Sequence, residues 1–352
     1  MKFSKRAPLA MAAVFALVAA ACGDDEGPAG AVAKDRLTVV VTTNILGDVV
    51  ENLVGDELNV VTIMPVGADP HDFQASAREV AIIGGAAAMI VNGADFEEGI
   101  LDVIESVEDD GVPVFEAVSA VETIEFGKVR DDDDHAEHDD DHAEHDDDHA
   151  EHDEHDEHDE HDDHGEGHDH HEHDGVDPHF FTDPSRMAVA ADAIANFLIA
   201  EIESVDSEAL RSNADAYIGL LEALDIEVSE TLASLSDSQR VLVTNHQVFG
   251  YFADRYDLKV VGTVIPSGST VNGADARTLA ALTETIKDEG VPAIFSDTSS
   301  SDELVQMLAD EVGEIEVVKL FSESLGDKDS NGATYLEMVR TNAQRIAAAL
   351  GD

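Results

Sequence analysis

The sequence predicts an α/β protein built as two halves around an insertion. Three observations carry this. β-Branched runs alternate with helix-spaced apolar segments from residue 36 to 115, and the alternation resumes at residue 240 and continues to the C-terminal end. Between the halves lies a tract, 131–174, made only of Asp, Glu, His, Ala and Gly. A long amphipathic run without proline, 207 to about 235, follows it. Strand–helix alternation implies a parallel sheet with helices on its faces. A helix longer than the globular norm, set between two such halves, is expected to act as a rigid spine.

Each element has its own local reason. The run 36–42 (RLTVVVT) is β-branched and reads as a buried strand. Strands are also expected at 58–64, 88–92 and 112–115, with helices at 45–54, 76–83 and 99–107. After the tract, 184–202 is expected to be helical, with Asp183 as N-cap and Pro184 in the first turn. The run 207–235 has only Gly219 as a breaker. Strands then follow at 240–244, 260–265, 293–296 and 316–319, with helices at 248–256, 274–288, 301–311 and 334–350.

The first residues read as an address. Lys2, Lys5 and Arg6 form a cationic start, and the apolar stretch 7–21 is too short to span a bilayer stably. Residues 1–21 are therefore expected to be a signal peptide. Ala19-Ala20-Ala21-Cys22 resembles a bacterial lipobox, with Ala19 where leucine is commoner. On this reading Cys22 is lipidated and 22–35 is a tether; the alternative is an ordinary signal peptide with an incidental cysteine. The remaining division is an N-terminal lobe at 36–205, containing the disordered loop 131–174, a linking helix at 206–236 and a C-terminal lobe at 237–352.

Composition excludes several classes. Of 352 residues, 78 are Asp or Glu and 19 are Lys or Arg, a formal charge of -59. A nucleic-acid partner needs cations to replace the phosphate counterions, and a basic membrane patch needs the same residues. A single cysteine excludes an internal disulfide and a cysteine-based zinc site.

The histidines are unevenly placed. Fourteen of 17 lie in the tract: His135, His138, His142, His145, His149, His152, His155, His158, His161, His164, His168, His170, His171 and His173. They alternate with 25 acidic residues, and nothing larger than Ala is present to bury. Acids alone solvate a loop equally well, so the histidines point to an accessory metal-binding loop. The other three are His71, His179 and His246. The first two follow Asp-Pro, which stiffens the loop and leaves an Asp to orient the ring. His246 follows the strand 240–244. In open α/β sheets ligands bind at the carboxyl ends of strands, and three imidazoles from such loops can converge on one ion.

With these residues in view, the chain resembles the zinc/manganese-type solute-binding lipoproteins of bacterial ABC importers, from about residue 37 to 350. The resemblance rests on Val41-Thr42-Thr43-Asn44-Ile45-Leu46, Pro65-Val66-Gly67-Ala68-Asp69-Pro70-His71, Asn92-Gly93-Ala94-Asp95-Phe96-Glu97 and Asp177-Pro178-His179-Phe180-Phe181. It continues through Asn245-His246-Gln247-Val248-Phe249 and Thr334-Tyr335-Leu336. It implies two lobes joined by a rigid helix, the metal in the cleft between them, and His71, His179 and His246 as ligands. His246 matches the position that is His in zinc members and usually Glu in manganese members. A fourth carboxylate is common just before the Thr-Tyr motif, where Ala333 stands here. Glu323, Asp327 and Asp329 are nearby, and the expectation is three His plus water.

The implied function is capture of Zn²⁺, in preference to Mn²⁺, outside the cytoplasmic membrane, with delivery to a permease whose ATPase is a separate chain. Imidazoles also suit Cu²⁺ and Ni²⁺, whereas Mn²⁺ prefers oxygen. Alternatives are a surface adhesin, a metal store or a zinc-dependent enzyme. The sequence carries no HExxH, CxxC, GxSxG or P-loop to support an enzyme.

Overall fold

The computed structural model describes residues 36–126, 175–271, 273–313 and 315–351. The expected signal peptide, Cys22 with its tether, and the tract 131–174 lie outside these residues.

In the first half the strands are β1 (Thr38–Val41), β2 (Asn59–Thr62), β3 (Ala88–Val91) and β4 (Val114–Glu116). They are parallel, in the order β2-β1-β3-β4. Helices α1 (Asn44–Val54), α2 (Ala77–Ile83) and α3 (Leu101–Asp109) connect them. After the tract come α4 (Pro184–Glu201) and α5 (Ser207–Leu232). The second half repeats the plan. Strands β5 (Val241–Thr244), β6 (Lys259–Thr263), β7 (Ala293–Asp297) and β8 (Glu316–Leu320) form a parallel sheet ordered β6-β5-β7-β8. Its helices are α6 (Gly250–Arg255), α7 (Ala276–Glu289), α8 (Glu303–Val312) and α9 (Tyr335–Gly351).

Strand alternation divides the apolar residues among three cores. On β1, Val39 and Val41 face a central core, whereas Val40 faces an outer one with Ile63, Ile83 and Met89. On β7, Ala293 and Phe295 face the centre and Ile294 the outer core of the second half. Burial on both faces explains why these strands are nearly continuous in apolar residues. The central core runs through both halves and includes one face of α5: Leu210, Ala214, Tyr217, Leu221, Leu224, Val228 and Leu232. Their three-to-four-residue spacing is that of a single helical stripe. With 26 residues α5 extends about 39 Å. It packs against α1 and α4 from the first half and α9 from the second.

Element ends follow local hydrogen bonding. Asp183 caps α4 by accepting from the Ser185 and Arg186 N–H groups, with Pro184 in the first turn. The helix expected at 248–256 begins only at Gly250. Its first residues instead form a tight turn, in which the Val248 N–H donates to the His246 carbonyl at 2.9 Å and the Thr244 hydroxyl donates to the same oxygen at 2.7 Å. That turn presents His246.

Candidate metal centre

The loops at the carboxyl ends of the strands meet where the two sheets face each other. His71 follows β2, His246 follows β5 and His179 directly precedes the short 3₁₀ turn Phe180–Thr182 that leads into α4. The structure brings these three histidines together with Glu323, which follows β8. One donor atom from each lies within 4.8 Å of all the others, and all four residues are buried. The Nε2 atoms of His71, His179 and His246 lie 2.8, 3.3 and 3.0 Å from a single oxygen, Glu323 Oε1.

The expected fourth position is therefore corrected. A fourth donor, the Glu323 carboxylate, stands with the three histidines where only water was expected. Ala333 sits in the turn before α9, while Asp327 and Asp329 are exposed. The signal that locates Glu323 was available: it stands just past a strand, as His246 does. The fourteen tract histidines and Cys22 lie outside the described residues.

Two of the three imidazoles are oriented from their far side. Asp177 Oδ1 accepts from the His179 backbone N–H at 2.9 Å and lies 2.7 Å from Nδ1. Glu98 does the same for the His71 ring, with Oε1 at 2.9 Å from Nδ1. Asp69, by contrast, accepts the His71 backbone N–H, at 3.0 Å, and makes no hydrogen bond to the ring. A carboxylate on the second ring nitrogen fixes the tautomer and leaves Nε2 to face the centre. Glu98 reaches His71 because Gly93, Ala94 and Asp95 all take left-handed backbone conformations. Buried Glu97 pins that turn by accepting from the Thr42 hydroxyl and the Asn92 and Gly93 N–H groups. Phe96 then packs edge-on against both His71 and His179. A cavity of about 230 Å³ lined by His71, Asp95, Glu98, Phe126 and Ser269 opens beside the centre.

Burial disfavours charge on His71, but the Glu323 charge and the hydrogen bonds to Glu323 and Glu98 outweigh it and push its pKa up to about 10. His179 is also raised: burial opposes the cation, but the charge and hydrogen bond of Asp177 prevail, with Glu323 adding to them. Burial would raise Glu323, yet the charges of His246 and His71 and the hydrogen bonds from His179 and His246 hold it well below the usual carboxylate range. Two buried atoms at the centre, Glu323 Oε2 and His246 Nδ1, have no hydrogen-bond partner. Buried polar atoms are normally paired, so an unpartnered carboxylate oxygen at a convergence of three imidazoles fits a divalent cation.

Two sheets closing their strand ends on one buried donor set define a two-lobed metal-binding substrate-binding protein. Comparison with known families makes this specific: the periplasmic zinc-uptake complex component A family matches residues 39–349, and the chain belongs to it. As a member it is an extracytoplasmic metal-binding component of an ABC importer and not an enzyme. The chain is 28% identical over 337 residues to the zinc-binding protein TroA of Treponema pallidum, covering 92% of each. It is 22% identical over 338 residues to the manganese-binding lipoprotein MntA of Halalkalibacterium halodurans, covering 96% of each. Among solved structures, the periplasmic zinc-binding protein TroA superposes with a TM-score of 0.72 at 24% identity, covering 90% of this chain and 99% of that one. The Mn-bound periplasmic metal-binding protein of Candidatus Liberibacter asiaticus gives 0.69 at 17% identity, covering 90% and 100%. The relatives are thus named for zinc and for manganese.

Proposed function

We propose that the chain captures one Zn²⁺ through His71, His179, His246 and Glu323 and delivers it to a membrane permease driven by a separate ATPase. The observation that carries this is the convergence of three imidazole Nε2 atoms on one carboxylate oxygen. Three nitrogen donors and one oxygen favour a borderline ion such as Zn²⁺ over the oxygen-preferring Mn²⁺. The lobes divide at 36–205 and 237–352, with 206–236 as the linking helix. Cys22 carries the lipid that holds the protein at the outer face of the cytoplasmic membrane.

The test is metal analysis and Zn²⁺ titration of a chain lacking 131–174. One tight ion per chain is expected. His246→Ala is expected to weaken it by at least about a hundredfold, beyond the 10–100-fold typical of residues that only orient a ligand. Wild-type affinity in His246→Ala, or preferential uptake of Mn²⁺, overturns the assignment.

The tract is read as a low-affinity acceptor that raises the local ion concentration beside the cleft. Its histidines sit among carboxylates that favour the protonated ring, so ions there compete with protons. Its capture is expected to fall steeply between neutral and mildly acidic pH, while the central site holds on. Titrations of the full chain and the shortened chain at both pH values check this. Unchanged stoichiometry on deletion defeats it.

A further inference from the structure

Three of the four donors are held by hydrogen bonds that cross between the lobes. On the His71 side, the Thr270 hydroxyl, in the loop after β6, donates to Asp69 Oδ2 at 2.5 Å. The other oxygen of Asp69 accepts the His71 backbone N–H. On the His179 side, the buried Tyr251 hydroxyl, from α6, donates to the Asp177 carbonyl at 2.6 Å and accepts the Ile124 N–H at 3.2 Å. Asp177 is the residue that orients the His179 ring. The neighbouring Gly250 leaves no room for a side chain: a Cβ there would lie 2.6 Å from Asp177 Oδ2. On the Glu323 side the direction reverses. Asn44, at the start of α1, accepts the Leu325 N–H at 2.7 Å and donates to Ser324 Oγ at 3.1 Å. The Gly67 N–H, after β2, donates to the same Ser324 oxygen at 2.7 Å.

We propose that Thr270, Tyr251 and Asn44 are positioning residues through which each lobe holds the ligands of the other, so that parting of the lobes sets the rate of ion release. This rests on the metal reading of the centre. None of the three touches the donor atoms, and each acts on a residue adjoining or orienting a ligand. The bracing is reciprocal. The second lobe steadies His71 and His179 through Asp69 and Asp177, and the first lobe steadies Glu323 through Ser324 and Leu325. Separation of the lobes therefore breaks these bonds at the same time as it pulls the donors apart. An ion cannot leave while all three braces stand without one lobe losing part of its ligand set.

The experiment compares Thr270→Val, Thr270→Ser, Tyr251→Phe and Gly250→Ala with the wild-type full chain. Zn²⁺ release to a chelator is followed by stopped flow, the Co²⁺ ligand-field spectrum reports donor geometry, and melting of the chelator-treated protein reports folding. Thr270→Val and Tyr251→Phe keep side-chain shape and remove only the hydroxyl. Each is expected to speed release about 10–100-fold, the range for loss of a ligand's supporting partner, and to shift the Co²⁺ bands. Thr270→Ser keeps the hydroxyl and is expected to restore wild-type release. Gly250→Ala displaces Asp177 and is expected to act like Tyr251→Phe. If the wild type holds one tight Zn²⁺ besides any ions on the tract, and the hydroxyl-less variants show wild-type release and spectra, the bracing is refuted while the metal site stands. If they melt earlier with unaltered spectra and release, the bonds hold the lobes but position nothing, and the proposal fails. A wild-type chain that takes no tight ion refutes the metal reading itself.

Discussion

Replacing Glu323 by Gln is expected to lower Zn²⁺ affinity by at least about a hundredfold while leaving the fold intact. The side chain keeps its length and one carbonyl oxygen, so the loss isolates the charge. Glu323 is the only carboxylate among the four converging donors, and it lies at the focus of three imidazoles. A hundredfold loss removes about 2.7 kcal/mol of the stabilisation that a fixed zinc excess confers, so the zinc-dependent rise in melting temperature should shrink accordingly. Glu323→Ala goes further. It strips the acceptor from three buried rings, and removing one partner of a buried charge pair costs about 3–5 kcal/mol. Loss of that counter-charge also lowers the His71 pKa, which eases the cost of the unpaired ring. Calorimetric titration and thermal melts with and without chelator measure both effects. A Glu323→Gln protein with wild-type zinc affinity excludes the carboxylate from the ion's shell.

Zinc binding at neutral pH is expected to release protons, and affinity should rise by about tenfold per pH unit for each proton displaced. Metal needs the free imidazole lone pair, yet His71 is pushed up to about 10 and His179 is raised as well. The same groups set the stability of the chelator-treated protein. His71 rises above its ordinary 6.5 on folding, so its contribution is complete below that value and is lost as pH climbs toward about 10. Glu323 is depressed below its ordinary 4.5, so its contribution is present above that value and is lost as pH falls further. Stability without metal should therefore peak between these two ordinary values and decline on the alkaline side, while zinc affinity increases there. Titrations in buffers of differing ionisation enthalpy count the protons directly. Zero release at pH 7 shows that the rings are already neutral.

The strands and the spine were legible because their residues obey simple periods. The Val39–Val41 run and the stripe from Leu210 to Leu232 need only be apolar at the right spacing to be recognised. The three histidines were legible because so few lie outside the tract. Glu323 was legible only as one of three nearby acids, and it is singled out once the fold places β8 beside β7 and turns the chain inward. The orienting role of Glu98 was hidden. It depends on three successive left-handed residues, and only Gly93 declares such a conformation by its type. Where the motif placed an Asp ahead of each histidine, geometry made the two unequal: Asp177 orients a ring, while Asp69 closes a turn and is claimed by the opposite lobe.

The donors are divided two and two along the chain as well as in space. His71 and His179 precede the spine helix α5, and His246 and Glu323 follow it. During synthesis and export, a polypeptide that has emerged only as far as α5 carries the tract histidines but only two of the four central donors, half of a four-coordinate shell. It cannot complete the central site early. Glu323 arrives only after the last strand, so tight capture coincides with completion of the second sheet. The binding free energy then acts on the final step of maturation, drawing the nearly finished molecule into its native form and leaving truncated chains without the central site.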